Sequence, residues 1–294
     1  MFASTARVPV VIPTRVRSTT NRVSPQTRAT ASDGVAPAII VGGGRVGSAL
    51  KDMGRNDVVI KRGDAFPETP KEGPIYVCTR NESLQGIIDW TPEGRREDLV
   101  FLQNGYLQGF LDERGLGDNT QALIYFAVAK LGEAPTDGVT DVNPEGLTAA
   151  YGKHAMALAN RLEGVNLACH VLDKNEFKAS MFEKLIWISA FMLVGANHPG
   201  ATVGDVESEY KNEVVELIDE LIDGTSEAEN VAFKPGSVDR LLAYARAVAH
   251  FPTAVKEFEW RNGFFHSVSE KRLGNGEPDP FLTHTALLKK VGAV

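Results

Sequence analysis

Residues 41–47 read VGGGRVG and follow directly on Ala38, Ile39 and Ile40. No other stretch constrains the fold so tightly. The apolar run 36–41 predicts a short buried parallel strand, and Val46, Ala49 and Leu50 predict the opening of an amphipathic helix. Between them stands Gly42-x-Gly44-x-x-Gly47. In a strand–turn–helix each glycine has its own reason. Gly42 permits the tight turn, Gly44 lets backbone approach a pyrophosphate, and Gly47 lets helix and strand pack closely. The helix N-terminus adds unpaired N–H groups and a partial positive charge. Gly42, Gly44, Arg45, Val46 and Gly47 are therefore the candidate cofactor-binding residues. A glycine-rich turn without a ligand is the plainer alternative. No Gly-Lys-Ser or Gly-Lys-Thr closes the loop, which argues against ATP or GTP hydrolysis of the phosphate-loop kind.

The next apolar run, 57–60, ends in Lys61-Arg62-Gly63-Asp64. A site for NAD usually carries a carboxylate here, against the ribose hydroxyls. Two cations instead suit a 2′-phosphate, which arginine grips by charge-assisted bidentate bonds. The expected cofactor is NADPH, with Arg62 as the main contact and Lys61 as the alternative. Asp64 can still meet a ribose, and two solvated surface cations are the structural alternative.

Further strands are expected at 74–78, 98–102 and 121–129. Together with 36–41 and 57–61 they make an abridged α/β domain, since 60–74 is too brief for a normal strand–helix unit. Arg80 follows the third strand, where doubly wound folds bind ligands, and is a candidate cofactor-binding residue that can hold a nicotinamide-side phosphate or a substrate carboxylate. Cys78 is expected as a small core residue. The fourth strand ends in Gln103-Asn104-Gly105, and Asn104 projects toward the crevice or simply forms the turn.

From about residue 143 the pattern turns helical, with candidate helices over 145–162, 175–194, 208–222 and 237–250, and a brief extended piece at 168–172. The boundary is placed at 140–141, so residues 35–140 form a Rossmann-type nucleotide domain and 141–294 an all-helical one. Lys184 stands inside the apolar stretch MFEKLIWISAFMLVGANH. Such a lysine either snorkels, pairs, or has a lowered pKa that makes it a proton donor. In KEFEWRNG, 256–263, Glu257 or Glu259 can face a cleft and pair with Lys184 or a substrate hydroxyl. The six histidines are scattered without metal-ligand spacing, so no metal is expected.

Composition limits the partners. The net charge of −7 argues against a nucleic-acid surface. No uncharged apolar run reaches the roughly 18 residues of a membrane span. Two cysteines make neither a disulfide framework nor a metal site, and a reducing compartment is the default. The first 32 residues hold five arginines, ten Ser and Thr, and no acid. That composition suits an organelle transit peptide over 1–34, for the chloroplast stroma first and the mitochondrion second. A plain disordered tail is the alternative.

Taken together, VGGGRVG, VVIKR, VCTR, LQNG, FEKL and KEFEWRNG resemble the ketopantoate reductase family over roughly 36–270. The resemblance implies a Rossmann-type domain, a helical domain, an active site between them, and NADPH-dependent reduction of a 2-oxo acid. It implies cofactor contacts from the glycine loop and Arg62, and a basic residue at Arg80. It makes Lys184 the general acid, Asn104 the asparagine beside nicotinamide and substrate, and Glu257 the substrate-orienting carboxylate. Where the family carries asparagines four and eight residues after that lysine, this chain has Ile188 and Met192, and Lys256 replaces a threonine. These departures point to a relative with a changed substrate. The alternative is a non-catalytic NADPH-binding protein, redox-sensing or scaffolding. A weaker third reading is an interaction module that keeps only the glycine turn. A small-molecule substrate is the expected partner, and a homodimer is left open.

Overall fold

The computed structural model describes residues 35–294, so the leader expected over 1–34 lies outside the described residues. The α/β part runs β1 (Ile39–Val41), α1 (Arg45–Asp52), β2 (Val58–Ile60), β3 (Ile75–Val77), α2 (Leu84–Trp90), β4 (Leu99–Phe101), α3 (Gln108–Asp112), β5 (Thr120–Leu123), β6 (Ala149–Tyr151), α4 (Ala155–Glu163) and β7 (His170–Val171). The described strands form one sheet in the order β2-β1-β3-β4-β5-β6-β7. β1 to β5 are parallel, β6 is antiparallel to β5, and β7 is parallel to β6.

Side-chain alternation divides the sheet's two faces. Ile40, Tyr76, Val100 and Ala122 pack under α1 and α4 against Leu50, Leu158 and Leu162. Ile39, Val41, Ile75, Val77 and Phe101 pack against Leu84, Ile87 and Leu111 of α2 and α3. Ile39 and Ile40 are fully buried, as a strand covered on both faces demands. At the other end of β1 from the glycine turn, the wholly buried Arg161 of α4 bonds to Asp57 and to the carbonyls of Leu50 and Ala36. That network fixes the entry to β2.

The helical part comprises α5 (Lys174–Asn197), α6 (Val203–Ser208), α7 (Lys211–Glu229), α8 (Ser237–Ala247), α9 (Asn262–Gly274) and α10 (Leu282–Lys290). α5 begins at Asp173, whose carboxylate accepts from the N–H groups of Asn175 and Glu176, while Glu176 reaches back to complete a capping box. Such a cap contributes about 1 kcal/mol. α5 is long and apolar enough to cross a membrane, but 78% of its apolar window is buried inside the protein. It is the central helix of the helical core, and Leu123, Ala149 and Tyr151 of the sheet join that core.

Three expectations need correction. The sheet does not stop before 140: β6 and β7 extend it to Val171, and the helical part starts at Lys174. The helix expected over 145–162 is instead β6, a turn at Gly152 with φ of +99°, and α4. The strand expected over 121–129 ends at Leu123, because the Tyr125 N–H turns to the Thr148 hydroxyl. The abridgement holds, with no helix between β2 and β3.

Candidate functional site

β1 is followed by β2 on one side, and the chain then crosses back to place β3 on the other. The crevice at such a switch point is where open α/β sheets bind ligands. Gly42 lies there with φ of +104°, and a Cβ on it would stand 2.8 Å from the Cys78 carbonyl oxygen. A Cβ on Gly47 would stand 1.9 Å from the Gly42 carbonyl oxygen. Gly44 differs: no atom lies within 4 Å of its Cβ position. Its missing side chain therefore leaves free space at the start of α1, whose first turn carries no acidic residue. Val46 packs on the core beneath, and Arg45 donates to the carbonyls of Val128 and Ala129, each at 3.2 Å. Arg45 thus ties the loop after β5 to the glycine turn.

Beside the turn is a cleft of about 680 Å³, within the range of ligand pockets. Ile60, Ile87 and Trp90 give it apolar walls, and Lys61 and Arg62 supply its cations. Asp64 instead accepts from the Lys61 N–H at 2.7 Å, closing its own turn. Arg80 faces solvent with its side chain 81% exposed, 3.7 Å from Glu82. Cys78 is packed against the core, and burial pushes its thiol up to about 12, so it stays an unreactive thiol.

The end of β4 is built by Gln103, which the sequence reading passed over. Its amide donates to the carbonyls of Val77 and Thr79 and accepts from the Leu102 N–H, joining β4 to β3. Asn104 is then presented at the surface of the crevice. Its carbonyl accepts from the Asn81 amide, while its own amide has no hydrogen-bond partner among the described residues. Gly105, with φ of +114°, lies against Trp260.

Lys184 of α5 is only 8% exposed. Its ammonium donates to the Ile124 carbonyl at 2.5 Å and stands 4.5 Å from the centre of the Tyr125 ring. Burial first, and the Arg261 charge second, pull its pKa down to about 7. Lysine is thereby placed where it can hold and release a proton near neutrality. Glu257 does not pair with it. The Glu257 carboxylate pairs with the Arg261 guanidinium, and Glu257 holds a left-handed backbone with φ of +48°. Arg261 is the site residue that the sequence reading missed. Tyr106 links the parts, its ring 5.7 Å from Phe182 of α5 and 4.6 Å from Phe264 of α9. Glu259, the other acid weighed for this site, is exposed.

No protein-family model matches the chain, and no curated protein matches it in sequence. Solved structures do match. A PanE/ApbA family ketopantoate reductase from Ralstonia eutropha is 14% identical, with 88% of this chain and 99% of that one covered and a TM-score of 0.61. The chain has the ketopantoate reductase fold. A dimeric ketopantoate reductase from Staphylococcus aureus is 16% identical over 88% of this chain and 99% of that one, with a TM-score of 0.58. D-mandelate dehydrogenase bound to NADH and anilino(oxo)acetate is 14% identical over 88% and 98%, with a TM-score of 0.60. At these identities the likeness establishes the architecture, a Rossmann-type sheet followed by a helical domain.

The residues at the crevice fit a dinucleotide. Gly44 leaves room for a pyrophosphate at a helix N-terminus free of acids, and the neighbouring cleft has apolar walls and two cations.

Proposed function

We propose that this protein is an NADPH-dependent reductase of a small 2-oxo acid or related ketone. One observation carries the proposal: a buried lysine on α5, lowered to about 7, that reaches the carbonyl of Ile124 just past the end of β5 and has no carboxylate partner among the described residues. A lysine buried only to support the core usually meets a carboxylate; among the described residues Lys184 meets the Ile124 carbonyl and the Tyr125 ring instead. The fold is shared with ketopantoate reductases and with a dehydrogenase seen with NADH, which supports a nicotinamide cofactor.

The glycine turn 42–47 would hold the pyrophosphate, and Lys61 and Arg62 the 2′-phosphate. The bound nicotinamide supplies the hydride. Lys184 holds the proton at Nζ, polarises the ketone oxygen, and gives that proton to the oxygen as negative charge develops there. Asn104 offers a free amide to orient the substrate. Glu257 keeps the 257–261 turn in place through Arg261 and orients the substrate from that turn.

A second reading, a non-catalytic NADPH-binding protein, is supported by Ile188, which is buried, and Met192. A panel of 2-oxo acids and simple ketones, followed by NADPH absorbance, separates the two. Ketone-dependent oxidation lost in Lys184→Ala supports the reductase; none with any ketone favours the second reading. We further propose plastid import, on the composition of residues 1–32. N-terminal sequencing of the native protein should begin near residues 28–36, and a start at residue 1 or 2 would refute import. One similar structure is dimeric, and light scattering will show whether this chain is.

A further inference from the structure

One peptide group meets Lys184. The Ile124 carbonyl accepts from Nζ at 2.5 Å, and that carbonyl and the Tyr125 N–H belong to the same planar peptide. In a trans peptide the two groups point in opposite directions. The Tyr125 N–H donates to the Thr148 hydroxyl oxygen at 3.0 Å. The bond on one side of the peptide therefore sets the direction of the bond on the other. Thr148 stands just ahead of β6, opposite Ile124 in a register that pairs Leu123 with Ala149. It is itself held fast, since its own carbonyl accepts from the His170 N–H at 2.9 Å. Thr148 is fully buried, so solvent does not substitute for its hydroxyl.

The Thr148 bond also strengthens the carbonyl. A peptide whose N–H is bonded is polarised, and its oxygen becomes a better acceptor. A better acceptor favours the ammonium over the neutral amine. The Tyr125 ring, 4.5 Å from Nζ, is carried by the same segment and acts in the same direction.

We propose that Thr148 is the positioning residue for the proton donor: through the 124–125 peptide it points the Ile124 carbonyl at Lys184 Nζ and keeps the ammonium there. Its part in turnover rests on the reductase reading; its hold on the lysine does not. The surrounding groups leave Lys184 as the one that titrates. The Arg261 charge felt at Lys184 is permanent, and burial holds the Tyr125 phenol well above its ordinary value and so neutral. Glu183 and Arg240, whose charges are felt at Tyr125, pair with each other at 2.7 Å.

The test is nuclear magnetic resonance on the full chain, following the Lys184 ε-carbon, the Ile124 carbonyl carbon and the Tyr125 amide nitrogen against pH. In wild type the three should move with one midpoint. Thr148→Val keeps the shape and removes the acceptor, so the Lys184 midpoint should fall by about 0.5 in pH or more. Thr148→Ser should restore it. On a ketone of the panel that wild type reduces, Thr148→Val should lose about 10-fold or more in kcat with KM within about twofold. The falling limb of kcat/KM should move to lower pH with the midpoint. A threonine that only supports the core would lower the melting temperature on Thr148→Val and leave the midpoint in place. An unmoved midpoint in that variant overturns the proposal. If the variant fails to fold, wild type decides alone: an Ile124 carbon and a Tyr125 nitrogen that do not follow Lys184 overturn it. If no ketone is reduced but the midpoint moves, the reductase reading fails and the role of Thr148 stands.

Discussion

Gly105 and Trp260 meet backbone to backbone: a Cβ on Gly105 would stand 2.3 Å from the Trp260 carbonyl oxygen, and the next N–H, from Tyr106, donates to that oxygen at 2.7 Å. The Trp260 ring meanwhile lies 5.3 Å from Phe110 of the α/β part. This contact fastens the end of β4 to the turn that carries Glu257 and Arg261. Asn104 is thereby held opposite the helical part, and the site is assembled from segments more than 150 residues apart.

Gly105→Ala should therefore be costly twice over. The alanine meets a backbone oxygen that has no room to yield and must hold φ near +114°. The expected loss is more than about 1 kcal/mol of stability. Denaturant unfolding measures it, and kcat/KM should fall with it as the 257–261 turn shifts. An unchanged midpoint would mean that the contact is not holding the two parts together.

Two glycines of the same loop should part company. Gly47→Ala pushes a methyl onto the Gly42 carbonyl and should destabilise the fold. Gly44→Ala meets nothing, and its φ of −74° suits alanine, so stability should stay within about 0.5 kcal/mol. Its methyl enters the space assigned to the pyrophosphate, so NADPH affinity should fall by about 10-fold or more. Melting curves and calorimetry on both variants decide the matter.

Lys184 should set opposite pH trends for stability and turnover. Its folded pKa of about 7 lies below the ordinary 10.5. Below about 7 the folded protein bears the full cost of a buried charge. Between about 7 and 10.5 only the unfolded chain holds the proton, so stability rises with pH through that window. Lys184→Met removes this rise and should be the more stable protein at neutral pH, by up to a few kcal/mol. It should also lose about 10²- to 10⁴-fold in kcat. In wild type, kcat/KM should fall as pH rises above about 7, because the proton donor is then empty.

The legible features were those written in local sequence. The glycine turn needs only strand, glycines and helix start in succession, and the structure has them as expected. The apolar neighbours of Lys184 marked it as unusual but left snorkelling, pairing and a lowered pKa open; its burial is seen only in the structure. β6 was not legible, because Ala149-Ala150-Tyr151 has no strand pattern of its own and pairs only because β5 supplies an edge. Arg261 was not legible for a related reason. Nothing in Trp-Arg-Asn says that the arginine turns inward; the Gly105–Trp260 contact and the Glu257 pairing fix it there. Asp64 was ambiguous until its bond to the Lys61 N–H was visible.

The most direct test of the account is calorimetric titration of residues 33–294 with NADPH and with NADH, in wild type and Arg62→Ala. The expected result is tight NADPH binding, weaker NADH binding, and a loss of about 10-fold or more for NADPH alone in the variant. Binding of neither dinucleotide would contradict the account at its base, since the glycine turn would then be structure only and Lys184 a buried lysine with no reaction to serve.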